Sequence, residues 1–234
     1  MKLKNDLPAW IYNPLIKTYD RFINSYYQKS FAQEGEDIVL QRFVANINNG
    51  FYVDIGAHHP KRFSNTYLYY LKGWRGINIE PRPGSKKLFD KYRPGDINLE
   101  IPINSVEEEL TYYMFNEPAL NGFSKEVSEY KNGLGEYKII NEIKMKTRTL
   151  RDIFKEFLPT KQKINFMNVD VEGLDMNVLE SNNWEKYKPD LILCEDNEFQ
   201  VSNPQNSGIY VFLTGRDYKI VAKTFNTLIF KFDN

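Results

Sequence analysis

Phe51-Tyr52-Val53-Asp54-Ile55-Gly56-Ala57-His58-His59 is the stretch on which the reading of the fold turns. Its first five residues are a short apolar run carrying one acid, the pattern of a strand buried on both faces of a parallel sheet. Gly56 ends the run. Downstream, Ser64 or Asn65 can cap a helix that carries Tyr67, Leu68, Leu71 and Trp74 on one face. Ile77 and Ile79 predict a second strand that stops on Glu80. Pro81 and Pro83 then open a helix holding Leu88 and Tyr92, and Pro94-Gly95 closes it.

Beyond this unit Ile97, Leu99, Ile101 and Ile103 alternate with polar residues and Pro102. The period of two predicts a strand, and a proline that cannot donate to a ladder places it at or near a sheet edge. Leu110–Phe115 and Tyr137–Lys146 read as further strands, separated by the polar, glycine-containing stretch 116–136, a candidate substrate loop. Leu150–Leu158 reads as a short helix. Ile164–Val169 is a strand reaching Asp170, and Leu174, Val178 and Leu179 mark the next helix. Leu191–Cys194 is a buried strand ending in Glu195-Asp196, and Ser207–Thr214 is helical up to Gly215. Tyr218–Lys223 and Leu228–Phe232 suit an antiparallel hairpin. Alternating strands and helices closed by a hairpin describe an open, mostly parallel α/β sheet with an antiparallel end.

A chain of 234 residues accommodates one large domain and a short appendage. Residues 1–30 are set apart by aromatic and basic side chains, and residues 31–234 form the main domain. Pro8 and Pro14 break the start, after which Leu15, Tyr19, Phe22 and Tyr26 recur at helical spacing, with Trp10, Tyr12 and Tyr27 nearby. Such a helix packs on the domain or on the second subunit of a homo-oligomer, or serves as a substrate lid or a membrane-surface contact. Lys+Arg and Asp+Glu are both 31, and no basic stripe stands out, so bulk charge points to a small-molecule partner rather than nucleic acid. The single cysteine, Cys194, permits no internal disulfide. Without an apolar run long enough to span a bilayer or a signal-peptide core, the expected location is the cytoplasm.

In sheets of this kind ligands bind beyond the carboxyl ends of the strands, so the polar residues there are the candidate site. Asp54-x-Gly56 lacks the three glycines of a dinucleotide fingerprint and puts an acid first. That disfavours a diphosphate and suits a cationic ligand such as a sulfonium amino acid. Glu80 is placed to accept hydrogen bonds from ribose hydroxyls.

FYVDIGAHHP…SNTYLYYLKGWRGINIEPRP resembles the cofactor-binding half of FkbM-family methyltransferases. FAQEGED at 31–37, TRTLRDIF at 147–154 and INFMNVDVEGLDMNVLES at 164–181 resemble that family's other motifs in the same order. The resemblance implies a Rossmann-like methyltransferase fold with a mostly parallel seven-stranded sheet and a C-terminal hairpin. It also implies S-adenosylmethionine as cofactor and O-methylation, often of sugars, as in polysaccharide biosynthesis. By position, Asp54 and Gly56 line the amino-acid and ribose side of the cofactor, Glu80 holds the ribose, Asp96 with Ile97 flanks the adenine, and Gln33 closes over the cofactor or acceptor.

A sugar hydroxyl must lose its proton to become a nucleophile, to a general base or with a divalent cation lowering its pKa. His58 and His59, the chain's only histidines, and Glu172 are the candidate bases. Asp170, Glu195 and Asp196 offer hard oxygen ligands for Mg²⁺ or Mn²⁺ if their strands are neighbours, and magnesium-dependent sugar O-methyltransferases show a similar arrangement. Methylation of a carboxylate or nitrogen, and a non-catalytic binding module retaining the fold, are the alternatives.

Overall fold

The computed structural model describes residues 8–22 and 28–233. The chain divides between Ser30 and Phe31 into two units. In the first, α1 (Ala9–Phe22) begins directly after Pro8 and runs through Pro14. The expected break at Pro14 does not occur. Proline forgoes one helical hydrogen bond there without ending the helix, and its carbonyl accepts the Thr18 hydroxyl at 2.8 Å. Tyr26 and Tyr27 lie outside the described residues.

The second unit is organised by seven strands: β1 (Phe51–Ile55), β2 (Arg75–Ile79), β3 (Ile97–Leu99), β6 (Phe166–Val169), β7 (Leu191–Glu195), β8 (Tyr218–Lys223) and β9 (Thr227–Phe232). They lie in the order β3-β2-β1-β6-β7-β9-β8. The first five are parallel, and β9 inserts antiparallel between β7 and β8. This is the mostly parallel sheet with an antiparallel end that the alternation of strands and helices predicts, in the Rossmann-like, seven-stranded form that the family resemblance implies. Strand order reverses at β1, which pairs with β2 on one side and β6 on the other, so the ligand crevice opens at their carboxyl ends.

Each central strand is buried on both faces because its alternate residues feed two separate cores. Val53, Ile55, Ile77, Ile79, Met167, Val169 and Ile192 pack on one side with Leu150, Ile153 and Phe154 of α6 (Leu150–Phe157) and Val178 and Leu179 of α7 (Asp175–Glu180). Tyr52, Phe166, Leu191 and Leu193 pack on the other with Leu40 and Val44 of α2 (Glu36–Val44) and Tyr69 of α3 (Tyr67–Leu71). On this second face the register also lines up one polar row, Asn98, Asn78, Asp54 and Asn168, across four neighbouring strands.

Two expectations are corrected, the length of the strand that starts at Ile97 and the nature of the stretch 116–136. The predicted strand through Ile97, Leu99, Ile101 and Ile103 is regular only over Ile97–Leu99, because Pro102 breaks the ladder; Ile103 makes an isolated bridge to Arg148. The strands β4 (Glu109–Phe115) and β5 (Ile139–Lys146) do not join the main sheet but form a hairpin of their own. The loop expected between them contains a helix, α5 (Lys125–Lys131), capped by the Ser124 hydroxyl, which accepts from the Val127 N–H at 3.3 Å. Among the described residues no helix is long and apolar enough to cross a membrane.

Candidate active site

A cleft partly open to solvent lies over the carboxyl ends of β1, β2, β6 and β7. Its seam is Gly56. This residue has φ +78°, and a Cβ there would stand 1.6 Å from the Asp170 carbonyl oxygen, so only glycine lets the turns after β1 and β6 pass each other. Gln33, Asp54, Gly56, His58, Glu80, Asp170, Glu172 and Glu195 all line the cleft.

On the β1–β2 side the acids are held by donors. Asp54 Oδ2 accepts the Thr66 hydroxyl at 2.5 Å, and Oδ1 accepts the Asn168 amide at 3.0 Å, which is itself held by Asn65 at 2.9 Å. Burial pushes the Asp54 carboxyl up from its ordinary range, against the pull of Arg93 and these two donors. Glu80 accepts the His58 N–H at 2.8 Å on one oxygen and the Arg82 N–H at 2.9 Å on the other. Burial raises its carboxyl too, opposed by those two backbone donors. The Tyr112 hydroxyl faces the same carboxylate, whose remaining lone pairs are the acceptor capacity a ribose diol needs. Ile79, Ile101 and Ile103 line the cleft as well and offer an apolar surface for a base.

On the β6–β7 side the acids crowd one another. Asp170 is driven well above the ordinary aspartate range by burial and by neighbouring Glu195. Burial, then Glu172 and Asp175, pushes Glu195 up to about 7. Asp175 accepts the Val171 and Gly173 N–H groups at 3.1 and 3.2 Å, yet burial still lifts it to about 6. Glu172, at φ +55°, is ion-paired with Lys131 of α5 at 2.7 Å, and so ties the β4–β5 insert to the turn after β6. That insert contributes Tyr112, Pro118, Ala119, Asn121, Gly122 and Phe123 to the cleft wall.

His58 lines the cleft at φ +49°, with its ring stacked on Phe63 at 6.1 Å. Burial, then Arg82 and Arg62, lowers its pKa to about 4, so it is neutral at physiological pH. The N-terminal motif is fastened across the sheet. Glu34 accepts the Thr224 hydroxyl at 2.7 Å and the Asn226 N–H at 2.9 Å, and Glu36 accepts the Thr227 hydroxyl at 3.2 Å. Gln33, Asn226 and Thr227 thereby meet at one rim.

Four of the expected site residues are not brought to the cleft. Asp96 precedes β3 instead of following it, so it sits at the opposite end of the sheet. There it accepts from Gly76 N, the Tyr52 hydroxyl, Asn78 and Arg93. Ile97, beside it, packs against the core. His59 turns its Nδ1 to the N–H groups of Lys61 and Arg62, both at 3.1 Å. Asp196 accepts the Ser207 hydroxyl, orienting the start of α8 (Gly208–Thr214). With Asp196 turned away the expected three-acid metal set is broken, and among the described residues no three His, Cys, Asp or Glu side chains are grouped to hold a metal ion. The residues present therefore fit S-adenosylmethionine but not the expected cation. Thr66, Asn168, Ile101 and Tyr112 escaped the sequence reading, whereas Phe123 belongs to the stretch 116–136 expected as a substrate loop; the signal for Asn168 was a lone amide inside the apolar run Met167-Asn168-Val169.

Comparison with solved structures finds a putative RNA methyltransferase from Pyrococcus horikoshii at 9% identity, with a TM-score of 0.45 and coverage of 89% of this chain and 92% of that one. A TehB-like SAM-dependent methyltransferase from Corynebacterium glutamicum is similar at 7% identity, with a TM-score of 0.40 and coverage of 96% and 98%. Comparison with curated protein sequences gives no match. The family description "Methyltransferase FkbM domain" matches residues 54–220, well over half of the chain. The chain belongs to the FkbM methyltransferase family and is an S-adenosylmethionine-dependent methyltransferase.

Proposed function

We propose that the enzyme methylates a hydroxyl oxygen of a small, sugar-derived acceptor such as a glycan precursor, with the cofactor on the β1–β2 side and the acceptor on the β6–β7 side beneath the insert. The observation that carries this reading is the division of the cleft: donor-held acids on one side, a neutral histidine and crowded acids on the other. S-adenosylmethionine, when bound, supplies a methyl carbon made electrophilic by its sulfonium sulfur. Asp54 and Gly56 face its amino-acid part, Glu80 its ribose, and Ile101 and Ile103 its base, while Gln33 closes the rim.

His58 would accept the proton that the acceptor hydroxyl gives up on methylation. Its low basicity is sufficient because the hydroxyl becomes strongly acidic only as the new bond forms. Glu172, the competing base, is engaged by Lys131 and fastens the insert over the acceptor. No step runs through a metal ion, because the acids do not converge as ligands. Amides at Asn65, Asn121 and Asn168 together with rings at Phe63, Tyr112 and Phe123 give the cleft the mixed polar and aromatic surface that a polyhydroxylated ring requires. Crowded carboxylates at Asp170, Glu172 and Glu195 argue against a carboxylate acceptor by repulsion.

The test is release of S-adenosylhomocysteine over a panel of sugars, sugar nucleotides, carboxylic acids and amines, with EDTA-treated enzyme run in parallel. Turnover confined to hydroxyl acceptors and indifferent to EDTA supports the proposal. Turnover confined to amines or acids would overturn it.

A further inference from the structure

Asp54, the acid assigned above to the cofactor's amino-acid part, is the near end of a buried chain that leads away from the cleft. Arg93, which follows α4 (Ser85–Tyr92), is wholly enclosed. Its Nε is paired with Asp96 at 2.8 Å, a carboxylate also without exposure. Its Nη2 donates to the Tyr52 hydroxyl at 2.6 Å, and that hydroxyl donates to Asp96 at 2.7 Å. Its Nη1 donates to the Thr66 hydroxyl at 2.9 Å, and that hydroxyl donates to Asp54 at 2.5 Å. The rings of Tyr52, Tyr70 and Phe89 surround the guanidinium at 5.2–5.7 Å.

A buried ion pair is a poor way to gain stability, since desolvation offsets most of the attraction and well-packed apolar side chains do as well. The direction of the hydrogen bonds supplies another purpose. Arg93 donates to one lone pair of the Thr66 oxygen and Ser64 Oγ lies 3.3 Å from it, so that the one proton of Thr66 goes to its acceptor-only neighbour, Asp54. We propose that Arg93 is a positioning residue for cofactor recognition, fixing the Asp54 carboxylate through the Thr66 hydroxyl from beneath the cleft. The inference rests on the reading that Asp54 faces the cofactor.

The charged groups that face Asp54 are Arg93 and Asp96 from the connection between α4 and β3, Glu80 from the end of β2 and Asp170 from the end of β6. Arg93 is the only cation among them. Its attraction is the largest of the influences that counter burial and keep the Asp54 carboxyl from rising further. Weakening the connection therefore moves upward the pH at which Asp54 takes a proton, so affinity for a cofactor bearing an ammonium group falls off earlier as pH is lowered.

The experiment is titration calorimetry of the full-length protein with S-adenosylhomocysteine from mildly acidic to mildly alkaline pH. Thermal melts run alongside, for wild type, Thr66→Val, Thr66→Ser, Arg93→Met and Asp54→Asn. Thr66→Val cuts the connection and leaves the ion pair intact, so it remains informative if Arg93→Met fails to fold. The expected result for Thr66→Val is affinity lower by about tenfold and an acid fall-off moved to higher pH, both restored by Thr66→Ser. A folded Thr66→Val protein with wild-type affinity and pH profile overturns the inference, even if its melting temperature drops, provided Asp54→Asn has lost affinity. If Asp54→Asn itself binds as wild type, the reading of Asp54 fails and the inference falls with it.

Discussion

The two sides of the cleft use the same residue type in opposite ways. Asp54 and Glu80, at the ends of β1 and β2, are buried carboxylates with a hydrogen-bond donor on each oxygen. Asp170 and Glu195, at the ends of β6 and β7, are acids raised by burial and then by neighbouring carboxylates, Glu195 acting on Asp170 and Glu172 with Asp175 acting on Glu195. A carboxylate held by fixed donors is oriented before any ligand arrives, which suits recognition of an invariant cofactor. Crowded acids are left in tension until a hydroxyl donor enters, which suits a chamber that must respond to its acceptor. Burial alone does not separate the two roles; the donors do.

The seam between the sides is the first place to break the comparison. Gly56→Ala forces a Cβ into the Asp170 backbone at a left-handed φ, so the turns after β1 and β6 must separate. The expected loss is on the order of 3 kcal/mol or more of stability, measured by urea denaturation, together with loss of S-adenosylhomocysteine binding.

Next in size is His58→Asn, which keeps a residue tolerant of positive φ. It should lower kcat by roughly a hundredfold while leaving cofactor affinity nearly unchanged. Because His58 is already neutral above about pH 4, the wild-type rate should show no limb near the ordinary histidine value.

Glu80→Gln tests the donor-held side directly. An amide accepts on only one of its two terminal atoms, so either the His58 or the Arg82 N–H faces another donor. Cofactor affinity by calorimetry should fall by about tenfold, with kcat at saturating cofactor close to wild type.

The smallest effect is expected from Glu195→Gln and is a gain. The folded state holds the Glu195 proton up to about pH 7, whereas the unfolded chain releases it in the ordinary glutamate range. The native protein therefore binds more protons across that window, and stability declines as pH rises from the ordinary value to about 7, staying lower above it. Removing the ionisable group should raise Tm at alkaline pH by about 2–4 °C, equivalent to roughly 1 kcal/mol, with no gain at acidic pH. An unchanged Tm at alkaline pH would show that the two sides are not held differently.

Much of the fold was legible in sequence because burial on both faces leaves a short apolar run, and β1, β2, β6 and β7 each do so. Asp54, Glu80, Asp170 and Glu195 were found by the same rule, as polar residues where such runs stop. Asp96 shows the limit of that rule. Pro94-Gly95-Asp96 leads into a strand instead of out of it, so the acid lies at the wrong end of the sheet for a ligand. The hairpin of β4 and β5 reads as two strands whether or not it joins the main sheet, since periodicity carries no information about partners. Arg93 was invisible for a deeper reason: exposed arginine is the norm, and only the meeting of Tyr52, Thr66 and Asp96 around it makes enclosure tolerable. The asparagines of the polar row did leave a trace, as Asn78 and Asn168 each interrupt an otherwise apolar strand just before its end.

A crystal structure of the complex with S-adenosylhomocysteine tests the division of the cleft most directly. The account predicts ribose hydroxyls within hydrogen-bond distance of Glu80, the amino-acid part beside Asp54 and Gly56, and the sulfur facing the chamber of His58, Asp170 and Glu195. A ligand whose ribose lies away from Glu80, or whose sulfur points away from that chamber, would contradict it.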